Sequence, residues 1–251
     1  MIQSLIIAFA MYSKIPMPRV DWNKKNMRYA LCFFPMVGVV IGLALWGCVR
    51  LCELGNMKGF FTSVLLTILP IILTGGIHMD GFLDTVDALS SNASKERKLE
   101  ILKDSNSGAF AITFGIVYLL SYVAVLTEFD WRALPEFALS FVMIRTLSGF
   151  SIVSFPLARN TGLAATFQDH AQKRNVSIIL LAMFLAETGI LFYFDMILGG
   201  ITLATLLMMF GYHYYVCRTK FGGITGDLAG FFLQMSELAV AFTLMIGCRV
   251  F

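Results

Sequence analysis

Residues 60–89 read FFTSVLLTILPIILTGGIHMDGFLDTVDAL. The first half is apolar enough to lie in hydrocarbon, the Gly75-Gly76 pair interrupts it, and three aspartates follow at positions 80, 84 and 87. On a helix these spacings of four and three put all three carboxylates on one face. Phe82, Leu83, Val86 and Leu89 then make the other face apolar and able to dock against a bundle. Three neighbouring anions at the edge of a bilayer repel one another and are costly to bury. The stretch therefore calls either for a divalent cation among the acids or for a helix face turned to water.

The rest of the chain sets the context. Of 251 residues, 58% are hydrophobic and only 14% charged, and the mean hydropathy is +0.77. Soluble domains are roughly half apolar and about a quarter charged. This chain reads as one all-α, polytopic integral membrane domain over residues 1–251, a helical bundle with polar cytoplasmic loops. Apolar runs of about 20 residues, the length a helix needs to cross about 30 Å of hydrocarbon, predict seven spans near 31–52, 59–77, 109–127, 134–155, 176–194, 196–216 and 229–248. The opening MIQSLIIAFAMY lacks a basic start and a small-residue cleavage site. It is expected to be a retained interfacial or re-entrant segment rather than a signal peptide. No internal repeat supports an inverted-repeat transporter.

Charge placement orients the bundle. With the amino-terminal loop of Lys14, Arg19, Lys24, Lys25 and Arg28 in the cytoplasm, alternate loops add Lys95, Arg97, Lys98 and Lys103, then Arg159, Lys173 and Arg174, then Arg218 and Lys220. The opposite loops hold only Arg50, Lys58, Arg132 and Arg249, so the bias of basic residues puts the amino terminus inside. Asp80, Asp84, Asp87, Glu96, Glu100, Asp104, Asp169 and Asp227 share that side, which is expected of a cytoplasm-facing active site in a prokaryotic inner membrane. A net charge of +3 is too small to point to nucleic acid. The five cysteines, odd in number and without paired metal-ligand spacing, imply neither disulfides nor zinc.

Three further groups of residues carry candidate chemistry. In SSNASKERKLEILKDSNSGAF, Ser94 can cap a helix over about 95–104, and Asp104 returns to the membrane mouth beside Ser105 and Ser107. Lys95, Arg97, Lys98 and Lys103 either follow the positive-inside bias or reach a phosphate. In FGGITGD, residues 221–227, the glycines permit close backbone approach to a phosphate. Gly223, Thr225 and Asp227 are the candidates there, with Glu237 ten residues on inside an apolar helix. Arg145, within the fourth span, either clamps phosphate or pairs with Glu237; Arg159, in PLARNTGLAATF, is a second possible clamp. His78 either contacts substrate or metal or is a packing histidine. Oxygen ligands alone favour Mg²⁺ or Mn²⁺.

Taken in order, KIPMP (14–18), FPMVG (34–38), GGIHMDGFLDTVDAL with KDSNSGAF, PLARNTGLAATF and GGITGD resemble the cobalamin synthase family, the adenosylcobinamide-GDP ribazoletransferases. The chain departs from the family pattern at Asn106 and Lys14, where a basic residue and an arginine are usual, which bears on any contact those side chains make. The resemblance implies a Mg²⁺-dependent phosphotransferase that joins GDP-activated adenosylcobinamide to α-ribazole or its 5′-phosphate and releases GMP. It implies Asp80, Asp84, Asp87 and Asp104 as catalytic and magnesium residues, and Arg159, Thr225 and Asp227 as site residues. Asp80 and Asp84 are expected to bind the metal, with Asp87 or Asp104 completing the site or taking a hydroxyl proton. His78, Arg145, Gly223 and Glu237 complete the substrate-binding set. Besides these substrates the expected partner is membrane lipid, and the composition allows a homo-oligomer.

Two other classes fit less of the sequence. A CDP-alcohol phosphotransferase also begins its signature Asp-Gly, but then needs Ala-Arg and a later run of spaced aspartates, whereas Phe82, Leu83, Asp84 and Thr85 follow here. A cation or solute transporter would place its acids near mid-membrane, while Asp80 to Asp87 fall at the cytoplasmic edge.

Overall fold

A computed structural model describes residues 1–57, 59–104 and 106–251. Lys58 and Ser105 lie outside the described residues, so the expected places of Lys58 in an outer loop and of Ser105 at the membrane mouth are not taken up below. Among the described residues twelve α-helices run in order: α1 (Ile2–Tyr12), α2 (Lys24–Met27), α3 (Phe34–Leu54), α4 (Phe60–Thr74), α5 (Ile77–Ser90), α6 (Lys95–Ile101), α7 (Ala109–Thr127), α8 (Leu134–Ser154), α9 (Leu163–His170), α10 (Lys173–Phe194), α11 (Met196–Val216) and α12 (Gly226–Val250). Among the described residues the one β-type pairing is an isolated bridge between Leu157 and Ile224.

Among the described residues six helices are long and apolar enough to span a membrane, within 30–54, 109–127, 131–154, 173–194, 196–221 and 226–250, and a seventh counts if α4 and α5 form one bent span. The expected span near 59–77 is thus broken rather than continuous. Helix α4 stops at Thr74 after 15 residues, about 22 Å at 1.5 Å per residue. Gly75 and Gly76 both take left-handed backbone conformations, and the chain turns by 97° into α5. A side chain at Gly75 is strained because its φ is +66°, and a β-carbon there would also have to displace the Lys14 side chain. Helix α6 is also shorter than expected and ends at Ile101. Its start is as read: Ser94 accepts the amide of Arg97 at 3.4 Å.

In hydrocarbon, apolar burial does not drive helices together, so close van der Waals packing and interhelical polar contacts do. Both are present. A β-carbon at Gly38 or Gly42 of α3 would stand 2.4 Å from the carbonyl oxygen of Phe141 or 2.7 Å from that of Ala138 on α8. This glycine pair, one turn apart, lets the two backbones touch. Thr146 of α8 donates to Glu187 of α10 at 2.8 Å, and Thr205 of α11 meets Thr243 of α12 at 3.0 Å. Large apolar residues such as Leu43, Ile116, Leu120, Leu185 and Met208 are left exposed, as a lipid-facing girdle requires. The amino-terminal helix α1 packs against the bundle, with Ile7, Ala8 and Phe9 buried.

Candidate active site

Helix α5 places its acids as its spacing requires. Asp80 is exposed, Asp84 and Asp87 are half-buried, and the opposite face is anchored by Phe82. That ring lies 4.9 Å from Tyr118 and stacks on Phe231 at 5.9 Å. What brings α5 against α12 is the glycine beside Asp80. A β-carbon on Gly81 would stand 2.8 Å from the carbonyl oxygen of Asp227, and one on Gly230 would stand 3.0 Å from that of His78. The two helices therefore meet backbone to backbone near their amino termini, each with an aspartate in its first turn. The unpaired amides of two helix starts favour anionic groups there.

This crossing gathers four carboxylates. Asp84 lies within electrostatic reach of Asp80, Asp227 and Asp87. The cation paired to the group is Arg159, whose guanidinium stands 3.3 Å from Asp227. Thr225 caps α12 by accepting the amide of Leu228 at 3.2 Å and donates to Asp227 at 3.2 Å. Arg159 reaches this place because its strand-like segment is tied to the glycine turn: Ala158 donates to Ile224 at 3.1 Å and Ile224 to Pro156 at 2.8 Å. Gly223 serves that junction. Its β-carbon would stand 2.4 Å from the amide nitrogen of Ala158, so the structure gives this glycine a packing reason where the sequence reading gave a phosphate-binding one.

The other expected residues fall elsewhere. Asp104 is exposed and turned on its own loop, where its carboxylate accepts the backbone and side-chain N–H groups of Asn106, each at 2.9 Å. Those bonds hold its carboxyl below the usual carboxylate range, and the structure does not gather it with the other four. Asp87 lies against Gly108 instead, whose β-carbon would collide with its carboxylate. Of the two readings kept for Arg145, the geometry shows the ion pair: its guanidinium lies 3.0 Å from Glu237, and both side chains are 1% exposed. Arg97 pairs at the surface with Glu100 at 2.7 Å, and Lys98 is buried. His78 is buried, with its ring 6.1 Å from that of Tyr12.

Beside Asp80 and Asp227 lies a cavity of about 260 Å³. It was not foreseen from the sequence, because its walls are Tyr12, Phe34, Ser148, Leu163 and other residues that are individually ordinary in apolar helices. Among the described residues no three of His, Cys, Asp and Glu form a ready-made metal cage. Magnesium seldom uses one: it is held by one or two carboxylates together with substrate phosphates and water. Carboxylates within electrostatic reach of one another, with Arg159 paired among the described residues only to Asp227, fit that mode.

A bundle of membrane-spanning helices with carboxylates gathered at one edge defines a polytopic membrane protein with an acidic, ligand-sized site between helix starts. Within that class the chain belongs to the family described as Cobalamin-5-phosphate synthase, whose model matches residues 4–245. An adenosylcobinamide-GDP ribazoletransferase of Lachnoclostridium phytofermentans is 42% identical over 246 residues, 98% of this chain and 94% of that protein. One of Clostridium botulinum strain Alaska E43 is 30% identical over 246 residues, 96% of each chain. No solved structure matches the chain.

Proposed function

We propose that this protein is an adenosylcobinamide-GDP ribazoletransferase of a prokaryotic inner membrane, with its site facing the cytoplasm. The family and its relatives support the reaction. The observation that carries the site is that Asp84, midway along α5, lies within electrostatic reach of Asp80, Asp87 and Asp227, with Asp80 and Asp227 in the first turns of α5 and α12. In this reading a ribose hydroxyl oxygen of α-ribazole, or of its 5′-phosphate, bonds to the corrinoid-bearing phosphorus. The bond from that phosphorus to the bridging oxygen breaks, GMP leaves with the electron pair, and the hydroxyl proton passes to a carboxylate.

Asp84, at the centre of the acidic group, and Asp87 would hold Mg²⁺ with the substrate's phosphates. A bound divalent cation would neutralise charge on the transferring phosphoryl and on departing GMP. Asp80 is exposed and lines the cavity, which favours it over Asp87 or Asp104 for receiving the proton. Arg159, held by Asp227 at 3.3 Å and by only a long 3.5 Å bond to the carbonyl of Leu99, is the guanidinium placed to turn to a phosphate. Arg145 and Glu237 act from a distance, by fixing α8 to α12 beneath the site. The basic bias of the loops around Lys14, Lys95, Lys173 and Arg218 supports the cytoplasmic orientation.

The test is release of GMP by purified protein in detergent or liposomes given GDP-activated adenosylcobinamide, α-ribazole and Mg²⁺. Folded protein that releases none under these conditions refutes the activity.

A further inference from the structure

The cavity beside Asp80 and Asp227 has a character the acidic site does not need. Its walls are mostly apolar and aromatic: Met11, Tyr12, Phe34, Ile152 and Leu163. Tyr12 and Phe34 lie with ring centroids 4.1 Å apart, and His78 stands 6.1 Å from the first and 5.8 Å from the second. Three planar side chains thus bound one slot. Asp80 and Asp227 line its acidic end, and two further polar atoms belong to lining residues, Nε2 of His78 and Oγ of Ser148. Both residues are deeply buried, at 4% and 0% exposure, and neither atom has a hydrogen-bond partner among the described residues. A buried polar atom left unpaired costs about 1–3 kcal/mol, so two of them in one cavity mark where a ligand's polar atoms would sit.

We infer that this cavity is the acceptor-base subsite: it takes a planar, largely apolar fused heteroaromatic base with a single acceptor nitrogen, and so orients the attached ribose toward Asp80. This rests on the proposed ribazole transfer and assigns the acceptor's place in it. The benzimidazole base of α-ribazole has two apolar faces and edges, and its one free ring nitrogen accepts a hydrogen bond. The hydroxyl of Ser148 is a rotatable donor for that nitrogen, and Nε2 of His78 is left for a hydroxyl of the attached ribose. Guanine, the other base in the reaction, suits the aromatic wall less well. It carries donors and acceptors around both rings, and those turned to Met11, Phe34, Ile152 and Leu163 would stay unpaired. The guanosine end of the donor substrate is therefore assigned to the exposed side of the acidic group, and the base of the acceptor to the slot.

Equilibrium dialysis of the purified full-length protein in detergent with EDTA, so that no turnover occurs, reads α-ribazole and GDP binding separately, with GDP-activated cobinamide present and absent. Ser148→Ala is expected to weaken α-ribazole about tenfold, the effect of one lost hydrogen bond to a buried acceptor. Ala164→Leu, which adds a branched side chain to the wall, should weaken it at least as much. GDP should bind all three proteins alike. The riboside of dimethylindole, which lacks the acceptor nitrogen, should bind the native protein about tenfold more weakly than α-ribazole and lose nothing further in Ser148→Ala. Monodisperse elution and an unchanged melting temperature establish that each variant is folded, and Ser148→Ala decides the matter if the larger substitution is not. Unchanged α-ribazole affinity in the folded variants, loss of GDP binding in its place, or no α-ribazole binding by the native protein overturns the assignment. Native protein that binds α-ribazole in this slot yet releases no GMP refutes the transferase reading and leaves the subsite standing. Native protein that releases GMP with variants unaltered for α-ribazole does the reverse.

Discussion

A β-carbon on Gly81 would stand 2.8 Å from the carbonyl oxygen of Asp227 and 2.9 Å from its α-carbon. The obstruction is main chain, which cannot rotate aside as a side-chain tip can. Gly81→Ala must therefore move the start of α5 away from α12 and spread the four carboxylates that the crossing gathers. Misplacing catalytic groups by about 1 Å is enough to cost about 100-fold in rate. We expect Gly81→Ala to elute as native protein but to release GMP about 100-fold more slowly, and turnover at the native rate would show that the close crossing does not set the site.

Asp84 sits among like charges, within reach of Asp80, Asp227 and Asp87. Removing its charge relieves repulsion in the metal-free protein and takes away a central ligand in the loaded one. The two effects have opposite signs. Without divalent ions, Asp84→Asn should melt at or above the native temperature in detergent. Added Mg²⁺ should raise the melting temperature of the native protein, since a ligand at 100 times its dissociation constant adds about 2.7 kcal/mol, and should raise that of Asp84→Asn much less. GMP release should fall by at least about 1,000-fold, consistent with loss of the electrostatic stabilisation that dominates phosphoryl transfer. An equal Mg²⁺ response in both proteins removes Asp84 from the metal site.

How much of this was legible in the sequence depends on the range of the forces involved. The one-sided acidic helix follows from local spacing, and the cap of α6 from Ser94, because both depend on neighbours within one turn. The length of α4 was misread for a related reason. Hydropathy averages over a window and continues through Ile77, whereas the helix ends where Gly75 and Gly76 adopt positive φ. Asp227 was placed in a glycine turn, yet its membership of the acidic group depends on Gly81 and Gly230, which sit far apart in sequence and meet only across the α5–α12 crossing. Asp104 looked like a fourth member by its position at the membrane mouth, and two hydrogen bonds from Asn106 turn it away. Ser148 and Tyr12 gave no signal at all, since a lone hydroxyl or ring in an apolar helix is common and only the cavity between six helices gives them a task.

Gly223 offers a test of the junction that carries Arg159. A β-carbon there would stand 2.4 Å from the amide nitrogen of Ala158 and 2.5 Å from the carbonyl oxygen of Pro156. Gly223→Ala must break the paired bonds between Ala158, Ile224 and Pro156, and with them the approach of Arg159 to Asp227. Arg159→Lys keeps the charge but loses the planar fork. Both variants should raise KM for the GDP-activated substrate with little change in KM for α-ribazole. A rise confined to α-ribazole would place Arg159 on the acceptor instead.

Arg145 and Glu237 meet at 3.0 Å with 1% of each side chain exposed, tying α8 to α12 within the membrane. Removing one member of a buried pair leaves the other charge uncompensated, at a cost of about 3–5 kcal/mol, whereas replacing both with apolar residues of similar size is often neutral. Arg145→Met and Glu237→Leu are each expected to lower the unfolding free energy in detergent by about that amount, while the double variant recovers most of the loss. Activity distinguishes a structural tie from a substrate contact. If the pair serves only to hold α8 against α12, the double variant regains GMP release along with its stability. If Arg145 also meets a phosphate, stability returns and turnover does not. The geometry favours the first outcome, because one terminal nitrogen of Arg145 faces Glu237, the other donates to the carbonyl of Phe141 at 2.9 Å, and the side chain is 1% exposed.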